Sequence, residues 1–397
     1  MALTMLVSSQ WGHALRVLAA IGAVILAALL LDLQGAARDR LLLPLVAFLT
    51  SLSVILLSRI NGVLAAKQIL WVVVGAAVLV STYYLVERAS HLKNWKYLAG
   101  TAAVVLMLVT VLWGVERNGA RLWLSLFERV SFQPSEIAKL LMVIFLAGYI
   151  AEKGPLLRVS RRGTSGFSLL QGRYLAPMAL MVVLCLALFV GQRDLGTAVL
   201  FFGLFVALVY LATGSAVHVV VSATLFCGGA YVASWHFPHV ARRVEAWVHT
   251  WQTYNSAGYQ PAQGLFALAE GGLGGMGLGV MPVTGQNLPE ASTDLIFAVL
   301  GQDLGLAGAV GTLLVYALFI WAGSRIALRA RESFEGLLAA GLTAMFALQT
   351  VIIVGGVLKL IPLTGLPLPF ISYGGTSMLM NFVAVALLLA ISRNSAT

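Results

Sequence analysis

Leu288-Pro289-Glu290-Ala291-Ser292-Thr293-Asp294 opens onto Leu295-Ile296-Phe297-Ala298-Val299-Leu300, and the apolar run continues to about residue 322. Inside it Asp303 is the lone charged side chain. A run of this length exceeds the roughly 20 residues a helix needs to cross a bilayer. A carboxylate near hydrocarbon is disfavoured by roughly 2.5–3.5 kcal/mol at the bilayer centre, so such groups are rare and usually functional. Asp294, at the mouth of the run, is therefore the first candidate for chemistry.

The same pattern recurs along the chain. Of its 397 residues 60% are hydrophobic and 10% charged, and the mean hydropathy is +0.94. Those values exclude a soluble globular protein. Apolar runs lie near 15–33, 41–58, 69–86, 97–115, 136–151, 175–191, 196–212, 216–235, 294–322, 337–358 and 377–392. Each spanning segment must satisfy its own backbone hydrogen bonds. The expected fold is therefore all-α, a polytopic membrane bundle of about 10–11 transmembrane helices, with 236–293 as one long extracytoplasmic loop. The N-terminus lacks a basic stretch and a small-residue cleavage site, so the first apolar run is expected to be retained.

A net charge of +10 suits nucleic acid, anionic lipid or an anionic substrate. The lysines and arginines are dispersed over many loops, which excludes nucleic acid. Cys185 and Cys227 both fall in apolar runs and read as small core residues, giving neither a disulfide nor a metal site. The short basic loops 152–174 and 323–336 mark the cytoplasmic face. Acids and bases then meet on the outer face, around 236–293, a length that in compact bundles is usually functional.

Several constellations gather there. Asn118-Gly119-Ala120-Arg121-Leu122-Trp123 ends in a basic–aromatic pair: an interfacial anchor, or an arginine fork for phosphate oxygens. Phe132-Gln133-Pro134-Ser135-Glu136 reads as a helix start, and Glu136 shares a face with Lys139 three residues on. That pair is either structural or a means of fixing Lys139 in a polar cavity. Gln192-Arg193-Asp194-Leu195-Gly196-Thr197 caps another helix. Arg242-Arg243 precedes Trp247, Trp251, Tyr254 and Tyr259, as in an amphipathic stretch along the membrane. Gly272-Leu273-Gly274-Gly275-Met276-Gly277 matches GxGxxG but lacks the βαβ setting a dinucleotide site requires. Close backbone approach explains it better. The segment from Lys359 to Ser377 carries three prolines and several glycines and cannot be a regular span, so it must be covered by protein or line a cavity.

Taken in order, these pieces resemble the SEDS family (shape, elongation, division and sporulation), peptidoglycan glycosyltransferases of the FtsW/RodA type. The likeness runs from Asn118 to Ser377 through Gln133-Pro134-Ser135-Glu136, Asp194-Leu195-Gly196-Thr197, Gly258-Tyr259-Gln260, Leu288-Pro289-Glu290 with Thr293-Asp294, and Pro369-Phe370-Ile371-Ser372-Tyr373-Gly374-Gly375. The resemblance implies polymerisation of lipid II, an undecaprenyl-pyrophosphate disaccharide pentapeptide, at the outer face of the bacterial cytoplasmic membrane, for division or elongation. It implies Asp294 as the essential aspartate and a class B penicillin-binding protein as partner. Arg121, Lys139, Arg243 and Lys359 are then candidates for the pyrophosphate, and Glu136, Glu290, Gln260 and Ser372 for the rest of the substrate site. The family usually has ten spans, so residues 1–40 would be an added N-terminal helix before a bundle of 41–397. The chain departs from the family at Ser292, Gln286 and Gln302-Asp303, where histidine and acids are usual. No metal cluster is legible; a divalent cation, Mg or Mn, could assist the leaving group. Two rival functions share the same surfaces. A lipid II flippase would need polar groups at the midplane, and a non-catalytic scaffold for the transpeptidase would not need Asp294.

Overall fold

A computed structural model describes residues 2–32, 39–86, 89–117, 120–126, 130–159, 169–278 and 288–396. Asn118, Gly119 and Gln286 lie outside them. Every apolar run read from the sequence is a helix. In chain order these are α1 (Ala2–Asp32), α2 (Leu42–Ile60), α3 (Gly62–Leu85), α4 (Lys96–Trp113), α5 (Pro134–Val159), α6 (Leu169–Gln192), α7 (Leu195–Thr213) and α8 (Ala216–His236). The long loop contributes α9 (Pro238–Val248) and α10 (Tyr259–Gly271), and the chain ends with α11 (Ile296–Arg329), α12 (Ser333–Val357) and α13 (Gly375–Ala396). Nine helices among the described residues are long and apolar enough to cross a membrane, and Leu15–Leu31 and Ala176–Gln192 add two shorter apolar stretches.

The chain divides into two compact units. Unit 1 comprises Met1–Glu87, Glu245–Ala322 and Gln349–Thr397. In it α1, α2 and α3 pack together and α13 lies on α3. Gly75 of α3 faces the Phe382 ring of α13 so closely that a Cβ there would collide with it. Unit 2 comprises Arg88–Val244 and Gly323–Leu348. Its α4, α5, α6 and α7 bury a shared core around Met107, Met142, Phe145 and Cys185. Phe189 and Phe201 meet edge-on in that core at 4.6 Å.

The helical membrane bundle is as expected, and three features refine it. Between α4 and α5 lies a short antiparallel three-stranded sheet, β1 (Val115–Arg117), β2 (Ala120–Leu126) and β3 (Val130–Phe132), which the sequence reading did not include. Its register places Arg117 opposite Ala120 and Glu116 opposite Arg121. Asn-Gly is a strong two-residue hairpin signal, so Asn118-Gly119 carried the information. The expected span 294–322 starts at Ile296, and Asp294 lies in the turn before it. Finally, α11 is broken at Gly305, where φ is 66° and ψ −170°, so Asp303 ends a short first segment and is not embedded in one continuous helix.

Candidate active site

Asp294 is half-buried, in a turn that runs from Pro289 to Leu295. That turn is pinned from the loop between α12 and α13. Tyr373 N–H donates to the Ser292 carbonyl at 2.8 Å, and the Ser372 hydroxyl donates to the Thr293 carbonyl at 2.6 Å. Ser372 is buried, and its oxygen also accepts from Leu368 N–H at 2.7 Å. This hydroxyl, a candidate substrate contact, bonds the protein's own backbone and holds the carbonyl of Thr293, the residue before Asp294.

The proline-rich loop keeps its shape because side chains of the neighbouring helices take up its carbonyls. Gln349 Nε2 donates to Pro367 at 2.5 Å, Tyr316 to Pro369 at 2.5 Å, Ser53 to Ile371 at 2.6 Å, and Gln68 to Ser372 at 3.2 Å. Irregular backbone is tolerated beside a membrane on these terms. None of the four donors was singled out in the sequence, where each is a polar residue within a mostly apolar run.

The far end of the short α11 segment is pinned as well. The glycine stretch after α10 lies along the break: Met276 N–H donates to Gln302 O at 2.9 Å and Gly277 N–H to Asp303 O at 3.0 Å. In return Leu306 N–H donates to Gly272 O at 2.9 Å and Ala307 N–H to Leu273 O at 3.2 Å. The backbone groups freed by the break are thereby satisfied. Close approach is the reason for glycine: a Cβ on Gly275 would strike the Asp303 carbonyl, and Gly275 and Gly277 have φ of 82° and 94°. Arg59 of α2 forms an ion pair with Asp303. Gln302 Nε2 donates to Glu270 at 2.5 Å. The departures at 302 and 303 are therefore matched by partners: a carboxylate at 302 would face Glu270, whereas the amide donates to it.

The other unit 1 candidates lie nearby in the chain. Glu290 is exposed, with φ of 50°, and its carboxylate accepts from the Thr293 hydroxyl at 3.1 Å. Gln260 is half-buried in the first turn of α10. Lys359 closes α12: its N–H donates to Gly356 O and that of Leu360 to Gly355 O, a Schellman cap whose left-handed residue, φ 58°, is lysine. Such positions usually carry glycine. The Lys359 ammonium lies 5.8 Å from the centre of the Trp251 ring, and its carbonyl accepts from Trp247 Nε1 at 3.0 Å.

Arg121, Glu136, Lys139 and Arg243 belong to unit 2. Glu136 and Lys139 are both buried at the start of α5 and pair at 2.8 Å. Removing one member of a buried pair strands the other charge. Arg121, exposed on β2, has its Nε 3.6 Å from Glu116. Asp194 is buried and caps α7, accepting from Thr197 N–H at 3.0 Å and from its hydroxyl at 2.7 Å. Burial pushes its carboxyl above the ordinary carboxylate range, against the Thr197 hydrogen bonds and the charges of Arg243 and Lys139. His239 is held below its usual value by burial and by Arg193 and Arg243. Unit 2 thus collects cations at the α4–α5, α6–α7 and α8–α9 junctions, which alternate helix ends place on one membrane face.

Left-handed backbone at residues other than glycine is uncommon and concentrates where side chains are needed for function. Among the described residues it occurs at Arg193, Glu290, Lys359 and Phe370. Glu290 and Lys359 were candidates already; Arg193 was read only as part of a cap.

Comparison with known proteins places this arrangement. A family model described as a cell cycle protein, covering FtsW, RodA and SpoVE, matches residues 36–397, everything after α1. Peptidoglycan glycosyltransferase RodA of Mycobacterium tuberculosis (strain ATCC 25618 / H37Rv) is 38% identical over 372 residues, 90% of this chain and 78% of that protein. Stage V sporulation protein E of Bacillus subtilis (strain 168) is 34% identical over 305 residues, 76% of this chain and 80% of that one. Among solved structures, the Thermus thermophilus rod shape determining protein RodA aligns with a TM-score of 0.62 at 25% identity, over 91% of this chain and 98% of that one. A chain from a peptidoglycan synthase complex shares the fold with a TM-score of 0.72 at 24% identity, over 90% of this chain and 98% of that one. With its helices, its pinned aspartate segment and these relatives, the chain belongs to the FtsW/RodA/SpoVE family of multi-pass proteins of the bacterial cytoplasmic membrane.

Proposed function

We propose that this chain is a peptidoglycan glycosyltransferase that polymerises lipid II, with Asp294 as general base. The observation that carries the reading is the double anchoring around Asp294. The turn holding it is tied to the α12–α13 loop by Tyr373 and Ser372, and the helix segment that follows is tied to the glycine stretch. Preorganisation of this kind is what a positioned acid–base group requires.

In the reaction the acceptor sugar hydroxyl gives its proton to the Asp294 carboxylate as its oxygen attacks the anomeric carbon of the lipid-linked donor. The bond from that carbon to the phosphate oxygen breaks, the configuration inverts, and polyprenyl pyrophosphate leaves. Arg121, Lys139, Arg243 and Lys359 supply the positive charge that stabilises the departing diphosphate. Glu136 pairs with Lys139 and orients its ammonium. Glu290 and Gln260 are assigned to sugar and peptide contacts, and Ser372 shapes the turn. Among the described residues no three His, Cys, Asp or Glu gather as metal ligands. A divalent cation, Mg or Mn, would accordingly be carried by the diphosphate. A class B penicillin-binding protein is the proposed partner, a reading supported by the fold likeness to a peptidoglycan synthase complex.

Purified protein supplied with lipid II should yield glycan polymer on a gel, and Asp294→Asn should abolish it. Polymer from the Asn variant would end the reading. Transport of lipid II in vesicles without polymer would favour a flippase, and complementation by Asp294→Asn a scaffold.

A further inference from the structure

Arg193 stands where the chain would ordinarily place glycine. At the end of α6, Asp194 N–H donates to Phe189 O at 2.9 Å and Arg193 N–H to Val190 O at 3.1 Å. These are the two bonds of a Schellman cap, and Arg193 fills its left-handed position with φ of 65°. Glycine takes that conformation without strain, whereas a side chain with a Cβ does not. An arginine there carries backbone strain that glycine would avoid.

Its guanidinium borders a cleft of ≈ 160 Å³ lined by Val111, Glu116, Arg121, Gly191, Gln192 and Arg193. Arg121 Nε lies 3.6 Å from one Glu116 oxygen, and Arg193 Nη1 lies 3.8 Å from the other. All three side chains are about half exposed, so the pairs are water-screened and weak. One carboxylate between two arginines leaves the cleft with a net positive charge. Beside them Gln192 is buried. Its Nε2 donates to Met107 O at 2.8 Å, and its Oε1 has no hydrogen-bond partner among the described residues. A buried acceptor left in this state calls for a donor from outside.

We propose that this cleft is a glycosyl-phosphate site, in which Arg121 and Arg193 take phosphate oxygens, Gln192 Oε1 takes a sugar hydroxyl or acetamido N–H, and Glu116 holds the anion's place until ligand arrives. The inference rests on reading the unit 2 cations as phosphate ligands and adds Arg193, Gln192 and Glu116 to them. A simple carboxylate offers Gln192 no donor and inorganic phosphate only its own P–OH, whereas a phosphate carried by a sugar satisfies both halves. A phosphate also brings more charge and more acceptor oxygens than Glu116, so it displaces the carboxylate.

The test uses the full chain in lipid nanodiscs, with N-acetylglucosamine 1-phosphate and inorganic phosphate as calorimetric probes. The sugar phosphate should bind more tightly than inorganic phosphate, and Gln192→Leu should remove that preference. Arg193→Gly should lower sugar-phosphate affinity about tenfold, the scale of a charged hydrogen bond, while the thermal midpoint holds or rises because the cap is relieved. Glu116→Gln should raise affinity about threefold, the scale of an exposed ion pair. Unchanged affinity in Arg193→Gly, or weaker binding in Glu116→Gln, overturns the proposal. Lipid-linked glycosyl diphosphate in the disc should displace the probe; displacement by soluble sugar phosphate alone would overturn a membrane donor as occupant. Failure here is separable from failure of the polymerase reading. Polymer formation with no probe binding rejects the cleft alone, and binding intact in an Asp294→Asn protein that still polymerises rejects the base alone.

Discussion

Asp294 and Lys139 are held in different ways. The residues before Asp294 are gripped through their carbonyls by Tyr373 and Ser372, and the helix after it through a backbone exchange with the glycine stretch. Lys139 sits on a helix face and is held by the buried side chain of Glu136. Unit 1 therefore places the Asp294 carboxylate by main-chain geometry, which tolerates many side chains but demands glycine at close approaches. Unit 2 places its cations by ion pairs and helix ends, where each side chain matters individually.

The largest expected effect is chemical. Asp294→Asn keeps the shape of the turn and should lower polymerisation about 10²–10⁴-fold, the range for a lost general base, as measured by lipid II consumption. Retained activity would show that the anchored turn serves some other group. Next comes the main-chain frame. Gly275→Ala sets a Cβ against the Asp303 carbonyl at a left-handed φ of 82°, and should destabilise unit 1 by about 2–4 kcal/mol, read as a lower thermal midpoint.

Removing one member of a buried pair compares the two units directly. Asp303→Asn removes the carboxylate paired with Arg59 in unit 1, and Glu136→Gln the one paired with Lys139 in unit 2. Each should destabilise by about 3–5 kcal/mol. The apolar double variant Arg59→Met/Asp303→Leu should recover most of the loss, because no unpaired charge then remains. If Glu136→Gln/Lys139→Met recovers stability without activity, the unit 2 pair works through its charge. Ser372→Ala removes a bond to Thr293 O and one from Leu368 N–H, an expected loss of about 1–3 kcal/mol, with kcat falling more than KM rises if the hydroxyl positions Asp294.

Asp194 should give the smallest effect. Burial raises its carboxyl above the ordinary value, so its contribution to stability is present below the usual carboxylate range and is lost as pH rises through the raised value. Asp194→Asn keeps a capping side chain and removes the buried charge. The thermal midpoint should rise slightly near pH 7 and match the parent below about pH 4. A fall near pH 7 would show that Arg243 and Lys139 outweigh burial.

What could be read from residues alone was whatever depends on neighbours in sequence. Hydropathy accumulates locally, and each expected apolar run is a helix. Glu136 and Lys139, three apart on a helix, pair as spacing implies. The Asp194 cap likewise follows from residues within one turn. The missed hairpin was also local, since Asn118-Gly119 signals one, but the segment was weighed only as an interfacial anchor or an arginine fork.

Tertiary structure decided the rest, because it depends on groups far apart in the chain. The break at Gly305 stands only because the glycine stretch some thirty residues earlier (Gly272 to Leu306) supplies the missing backbone partners. Gln68, Tyr316 and Gln349 show no role in sequence until the carbonyls of the α12–α13 loop come within reach. Arg193 reads as part of a cap until folding shows it in a glycine conformation facing Glu116 and Arg121. Sequence by itself determined a membrane bundle with a candidate acid at one helix mouth, since partitioning into hydrocarbon is additive along the chain. Which backbone groups and charges meet is a matter of distance in space, and only the folded chain sets it.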